Sequence, residues 1–223
     1  MTGDVAHRLR HLIHRGELGP GDRLPPEREL AEELGVGRMS LREAIKLLQA
    51  WGYVEVKRGA KGGSFVTGLE TPYRRWVGQM REEASELDDI LDYRVAIESR
   101  AAGLAATRRT KSDLANQRIA IARMADAHER SAFRLADSHF HGAVASASGS
   151  RRLEAAIHYA RGELFAPTDR LVYVEQVDNC RAGHQLVYDA ILANDAGSAS
   201  QAMEIHIEQT RVQLSTLLFG ETR

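Results

Sequence analysis

The sequence has a single cysteine, Cys180, in 223 residues, which excludes an intramolecular disulfide and any cysteine-rich zinc module and suits a reducing compartment. Neither charge is in excess. Against 31 Asp and Glu stand 30 Lys and Arg, so there is no polybasic tail. No stretch approaches the roughly 20 apolar residues that a membrane-spanning helix needs. The opening MTGDVAHRLRHLIHR carries charge where a secretory signal would be apolar, and the expectation is a cytoplasmic protein with no membrane partner. What remains, 43% hydrophobic and 27% charged, is the make-up of an ordinary globular chain long enough for one or two domains.

Proline is scarce and unevenly placed: of five, all but Pro167 lie before Tyr73, together with most of the clustered glycines. Short punctuated elements are therefore expected up to residue 68, and long Ala-rich helices from about Arg74. The segment 67–73 reads as the joint, which gives domains over 1–68 and 76–223 with a linker over 69–75. Up to Gly68 the chain has 11 basic and 9 acidic residues, and beyond it 19 and 22. This mild asymmetry hints at an anionic partner for the first part only.

In that first part Val5, Leu9, Leu12 and Ile13 recur at helical spacing, predicting a helix over 4–14. His7, His11 and His14 fall on its other side and, lacking a carboxylate, read as solvated rather than as metal ligands. After the turn at Pro20-Gly21, Pro26 can occupy the first turn of a helix over 27–34. Gly35-Val36-Gly37 breaks it, and a second helix follows from 38 or 39 to 50 or 51, a helix-turn-helix candidate. On this helix Leu41, Ala44, Ile45 and Leu48 face one way while Arg38, Arg42 and Lys46 share the other. Three basic residues alone read equally as a solvated face. Two short strands, 52–57 and 64–67, joined by a basic glycine-rich tip shift the reading. Lys57, Arg58 and Lys61 can meet phosphates there, and helix plus hairpin make a winged helix-turn-helix.

Three stretches, Pro20-Gly-Asp-Arg-Leu-Pro-Pro-Glu-Arg-Glu-Leu-Ala31, Gly35-Val-Gly-Arg-Met-Ser-Leu-Arg-Glu-Ala-Ile45 and Gly62-Gly-Ser-Phe-Val66, resemble the DNA-binding domain of GntR-family bacterial transcription regulators over nearly all of 4–67. The resemblance implies that Arg28, Arg38, Ser40, Arg42 and Gly62 approach double-stranded operator DNA, with Lys61 beside them at the wing tip. Gly37 stands where that family usually has Ser or Thr, removing a helix cap and a phosphate donor. Met39 replaces the commoner Thr or Pro.

The second part shows hardly any strand signal. Helical spacing runs through 87–107, 113–129, 132–147, 151–165, 177–194 and 196–218, predicting six or seven helices in an antiparallel bundle and a mainly α protein. Asp137 and His141, four apart, share a helix face and can chelate a first-row metal, whereas His139 points elsewhere. His184 and His206 lie in later amphipathic helices, where each reads equally as a satisfied or half-exposed histidine. Spacing alone does not bring them together.

The segments Leu91-Asp-Tyr-Arg-Val-Ala-Ile-Glu98, Asp137-x-x-x-His141, His184-Gln-Leu-Val-Tyr-Asp-Ala-Ile191 and Met203-Glu-Ile-His206 resemble the all-helical FCD effector domain of the FadR subfamily. That resemblance implies a divalent metal ion, one of Zn, Ni, Mn or Fe, held by Asp137, His141, His184 and His206, with a small organic acid completing its coordination. Arg94 then either binds the effector carboxylate through its planar fork or forms a structural ion pair with an acidic neighbour. His128, His139, His158 and Cys180 read as surface or core positions.

The expectation is a homodimeric DNA-binding regulator, a repressor of a palindromic operator, controlled by an organic acid and without catalytic residues. Three alternatives are a metal-dependent enzyme of the helical domain, a purely structural metal, and an acyl-thioester effector. The enzyme reading finds no general base beside the ligand motif and leaves the winged segment without a purpose.

Overall fold

The computed structural model describes residues 2–59, 62–128, 130–164 and 173–220, and the chain divides into two units, Met1–Gln79 and Met80–Arg223. In the first, helix α1 (Thr2–His14) buries Val5, Ala6, Leu9 and Ile13 and packs on α3 (Arg38–Ala50), whose Leu41, Ala44, Ile45 and Leu48 are buried in turn. Between them in sequence comes α2 (Glu27–Leu34), with Pro26 at its N-cap position, just before the first turn, and no side-chain cap hydrogen bond. Its end is fixed by Gly35, which takes the left-handed φ of 66°. From there the N–H groups of Gly35 and Val36 donate back to the carbonyls of Glu32 and Ala31 at 3.1 and 2.9 Å. Only glycine adopts that conformation without a Cβ penalty, so the tight turn between the two helices is written at this position. Gly37 caps α3 with no side-chain hydrogen bond, as its missing hydroxyl dictates.

Strand β1 (Val54–Lys57) pairs antiparallel with β2 (Gly63–Val66), Val54 opposite Val66 and Lys57 opposite Gly63, and Arg23 adds a single bridge to Phe65. The first strand starts two residues later than the apolar pattern suggested because Gly52, at φ 83°, is still turning the chain out of α3. Helix α4 (Glu70–Glu82) begins where an irregular linker was expected over 69–75. Pro72 lies in its first turn, where a missing N–H costs nothing because the first four N–H groups of a helix have no intrahelical partner.

One expectation in this unit is corrected. His11 and His14 are not solvated: they are 5% and 3% exposed, and His14 Nε2 shares a 2.8 Å hydrogen bond with the hydroxyl of buried Tyr53. The buried side of α1 is wider than its apolar stripe, because an aromatic with a polar tip can receive a histidine that an aliphatic core would reject.

In the second unit, α5 (Ala84–Arg108) packs on α7 (Arg130–Ala147), α8 (Arg151–Glu163), α9 (Tyr173–Leu192) and α10 (Ala196–Phe219), while α6 (Lys111–Ala125) covers α7 and α9. The buried face of α5 is rich in small residues, among them Ala101, Ala102, Gly103, Ala105 and Ala106. They let α10 come close: a Cβ on Gly103 would lie 2.5 Å from Ser200 Oγ, which donates a 2.8 Å hydrogen bond to the carbonyl of Ser99. Helix starts are set by side-chain caps, with a reciprocal Thr110–Asp113 box for α6, Ser150 for α8 and Asp195 for α10. Among these apolar contacts α5 also buries two charges, Arg94 and Glu98, at 4% and 1% exposure. A pair of buried charges in a bundle centre needs a reason, and the side chains around it supply one.

Candidate functional site

On the winged unit, Arg28 of α2 and Arg38 and Arg42 of α3 are exposed, and Ser40 is half-buried. Arg42 Nε donates to Glu27 Oε2 at 2.6 Å. Both side chains of this pair remain 40% or more exposed, so the pair contributes little to stability and can open for a phosphate or a base edge. Gly62 is required by the chain itself. Its N–H donates to the Gly59 carbonyl at 2.8 Å, and a Cβ there would overlap the carbonyl oxygen of Lys57. Lys61 lies outside the described residues. Arg23, to which the sequence assigned no role, lies against Gly63, where a Cβ would stand 2.7 Å from its Nε. It adds a cation at the tip end of the strand ladder, beside the Lys57–Gly63 pair.

In the bundle the structure brings Asp137 and His141 of α7, His184 of α9 and His206 of α10 into one buried cluster. His184 Nε2 is 3.2 Å from Asp137 Oδ1 and 3.2 Å from His141 Nε2, and His141 Nε2 is 3.7 Å from Asp137 Oδ1. The His206 ring lies 4.3 Å from that of His184 and 5.3 Å from that of His141, centre to centre. A Cβ on Gly183 would stand 2.6 Å from His206 Nδ1, so glycine one position before His184 is what lets α10 bring its imidazole this near.

Two of the donors, His141 and Asp137, are oriented from behind. His141 Nδ1 donates to Glu98 Oε2 at 2.5 Å, which turns the bare Nε2 lone pair into the cluster. Glu98 is itself held by Arg94 Nε at 2.7 Å. Arg161 of α8 hydrogen-bonds Asp137 Oδ2 and leaves Oδ1 facing the imidazoles. Burial alone would raise the Asp137 carboxyl, but Arg161 and the hydrogen bond with His184 outweigh it and hold the group well below the usual carboxylate range. Glu98 is likewise kept ionised, against burial, by Arg94 and His141. Burial and the Arg161 charge push His141 down to about 4, and burial with two neighbouring imidazoles pushes His206 well down. At neutral pH these two rings are therefore neutral, with lone pairs to give.

This arrangement fits a divalent cation. Two imidazole Nε2 atoms face each other within 3.2 Å, and His206 Nδ1 is buried with no hydrogen-bond partner among the described residues. A buried orphan of this kind is costly unless something else satisfies it. One anionic oxygen and neutral imidazoles suit a first-row metal. The Arg94 fork uses only Nε for Glu98. Three participants were not singled out as site residues from the sequence. Glu98 was visible only as the end of an Arg-x-x-x-Glu element, and Arg161 gave no signal. Cys180, expected as a surface or core residue, lies with Sγ 3.8 Å from Asp137 Oδ1 and 3.7 Å from His184 Nδ1. It stands four residues before His184, on the same face of α9.

A winged helix-turn-helix on the same chain as a helical bundle with a buried donor cluster defines a class, the DNA-binding transcription regulators with a separate sensing domain. Residues 1–66 match the family described as bacterial regulatory proteins, gntR family, and residues 89–209 match the FCD domain. An Escherichia coli (strain K12) protein named for regulation of the L-lactate dehydrogenase operon is 33% identical over 222 residues, covering 93% of this chain and 83% of that one. The Exu regulon transcriptional regulator of the same organism is 30% identical over 226 residues, covering 98% and 84%. Among solved structures, E. coli McbR/YncC has a TM-score of 0.60 at 21% identity, covering 97% of each chain, a likeness of fold alone. The chain belongs to the GntR family of bacterial transcription regulators and carries an FCD domain. Its relatives are named as transcription regulators, not enzymes, which sets the metal-dependent enzyme aside.

Proposed function

We propose that this regulator is a homodimeric repressor of a palindromic operator and that a small organic acid, bound at a divalent metal in the FCD domain, controls its grip on DNA. The metal ligands are Asp137, His141, His184 and His206. The observation that carries the reading is the buried convergence of these side chains from α7, α9 and α10, with both carboxylates held ionised and His206 Nδ1 unsatisfied. The Nη edge of Arg94, free of hydrogen bonds among the described residues, supplies a fork for the carboxylate of the acid. The name of the lactate-operon relative points to a hydroxy acid of the L-lactate kind. Control requires the acid to bind the DNA-bound and free states unequally, with a coupling of about 1–3 kcal/mol. Arg28, Arg38, Ser40, Arg42, Lys61 and Gly62 make the operator contacts.

The test is fluorescence anisotropy of the full chain on its own upstream DNA, metal-loaded and chelator-treated, with L-lactate and with other hydroxy, keto and sugar acids. An acid that shifts DNA affinity about 5–150-fold only when metal is present supports the reading. An equal response after metal removal, or none to any acid, overturns it. DNA binding that does not weaken steeply with salt contradicts the operator contacts.

A further inference from the structure

We infer that Cys180 is a metal ligand as well, so that the sensing site is a mixed nitrogen, oxygen and sulfur centre that prefers zinc-like ions to manganese or magnesium. The inference rests on the metal site proposed above and adds a thiolate to it.

The geometry is that of two chelating pairs. On α7, Asp137 and His141 are four residues apart; on α9, Cys180 and His184 repeat the spacing, so each helix presents two donors one turn apart on one face. One donor atom each from Asp137, Cys180, His184 and His206 lies within 4.8 Å of the other three. Neighbouring donors on one ion with bonds of about 2.0–2.3 Å stand roughly 3–4 Å apart. Sγ, at 3.8 Å from Asp137 Oδ1, is already at that spacing. The unsatisfied Nδ1 of His206, on a ring 4% exposed, is an independent sign that the cluster lacks a partner.

Charge points the same way. The four buried ionised groups, Asp137, Glu98, Arg94 and Arg161, sum to zero. A divalent ion adds two positive charges to this largely buried site, which is costly unless paired. One thiolate and one effector carboxylate restore neutrality; without the thiolate, a monocarboxylate leaves one positive charge uncompensated. On binding, the Sγ–H proton passes to solvent and the sulfur donates an electron pair to the ion, with no change of oxidation state. Soft thiolate donors favour zinc and cobalt, whereas manganese and magnesium favour oxygen.

Cobalt(II) makes the ligand visible. The chelator-stripped full chain is titrated with Co2+ and its absorption followed, and the Zn2+-loaded chain is examined by X-ray absorption. The expected results are a near-ultraviolet thiolate-to-cobalt band rising together with the visible bands, and a sulfur shell at about 2.3 Å beside nitrogen and oxygen at about 2.0–2.2 Å. In Cys180→Ser the near-ultraviolet band disappears, the visible bands remain, and metal affinity falls at least tenfold, since even outer partners are worth roughly 10–100-fold. Visible bands without the near-ultraviolet band, or a zinc shell without sulfur, overturn the thiolate while leaving the metal site standing. A chain that takes up no Co2+ overturns both. The X-ray measurement needs no variant, so a substituted chain that misfolds does not shelter the claim.

Discussion

Three histidines within α1 and three histidines drawn from α7, α9 and α10 invite the same question, and the two regions answer it differently. In α1, His7, His11 and His14 line one face and find different partners: His7 stands edge-on to Trp51 at 5.6 Å between ring centres, His11 is buried beside Arg10 and Arg15, and His14 meets Tyr53. The donor cluster found among the described residues, Asp137, Cys180, His184 and His206, includes none of the three. In the bundle, His141, His184 and His206 come from different helices that turn their inner faces toward one point, where Asp137 waits and Glu98 orients the first ring. Spacing of three and four lines side chains along one face of a helix; closing a donor set around an ion here takes residues from three helices.

The comparison breaks most sharply on His184. His184→Ala is expected to abolish metal retention and the acid response, whereas His11→Ala leaves both intact, as judged by elemental analysis after dialysis. Next in size, Glu98→Gln replaces the ionised partner of His141 and should weaken metal binding roughly 10–100-fold by competition with a chelating dye. On the winged unit, Arg42→Ala should cost about 1–3 kcal/mol of operator affinity, read by anisotropy, while metal content and melting temperature stay put. Smaller again, Tyr53→Phe removes the partner of His14 and should lower stability by about 1 kcal/mol in denaturant titration without touching the metal.

Acid sharpens the contrast without separating the regions at first. His11 and His141 are both pushed down to about 4, so between about pH 6.5 and 4 the unfolded chain binds more protons than the folded one. Stability of the metal-free chain should fall as pH drops through that window. Zn2+ should raise the melting temperature at neutral pH and lose its effect as pH falls through about 4, where protons compete for the His141 imidazole. His11→Gln should flatten only the first unit's share of the slope.

How much of this was legible in the sequence follows from where the information sits. The helix over 27–34, the start of α3 and the left-handed Gly35 are local facts, set by glycine, proline and apolar spacing, and they were readable. The start of α4 inside the expected linker was hidden because Pro72 looks like a breaker until it is placed in a first turn. Burial of His14 depended on Tyr53, thirty-nine positions away, and no periodicity reports such a partner. For the metal cluster, only Asp137 and His141 announced themselves by spacing. His184 and His206 came from resemblance, and Arg161 and Cys180 from the packed bundle, since residues on α8 and α9 meet α7 only through tertiary contact.

The central claim, that dispersed residues converge to hold an ion while the local trio does not, is tested most directly by metal content. The purified full chain, its His184→Ala variant and its His11→Ala variant are stripped, reloaded with Zn2+, dialysed and analysed for bound metal per chain. The account predicts one tightly held ion in the parent and in His11→Ala, and none in His184→Ala. Equal metal in all three, or an ion lost with His11 rather than His184, would contradict it.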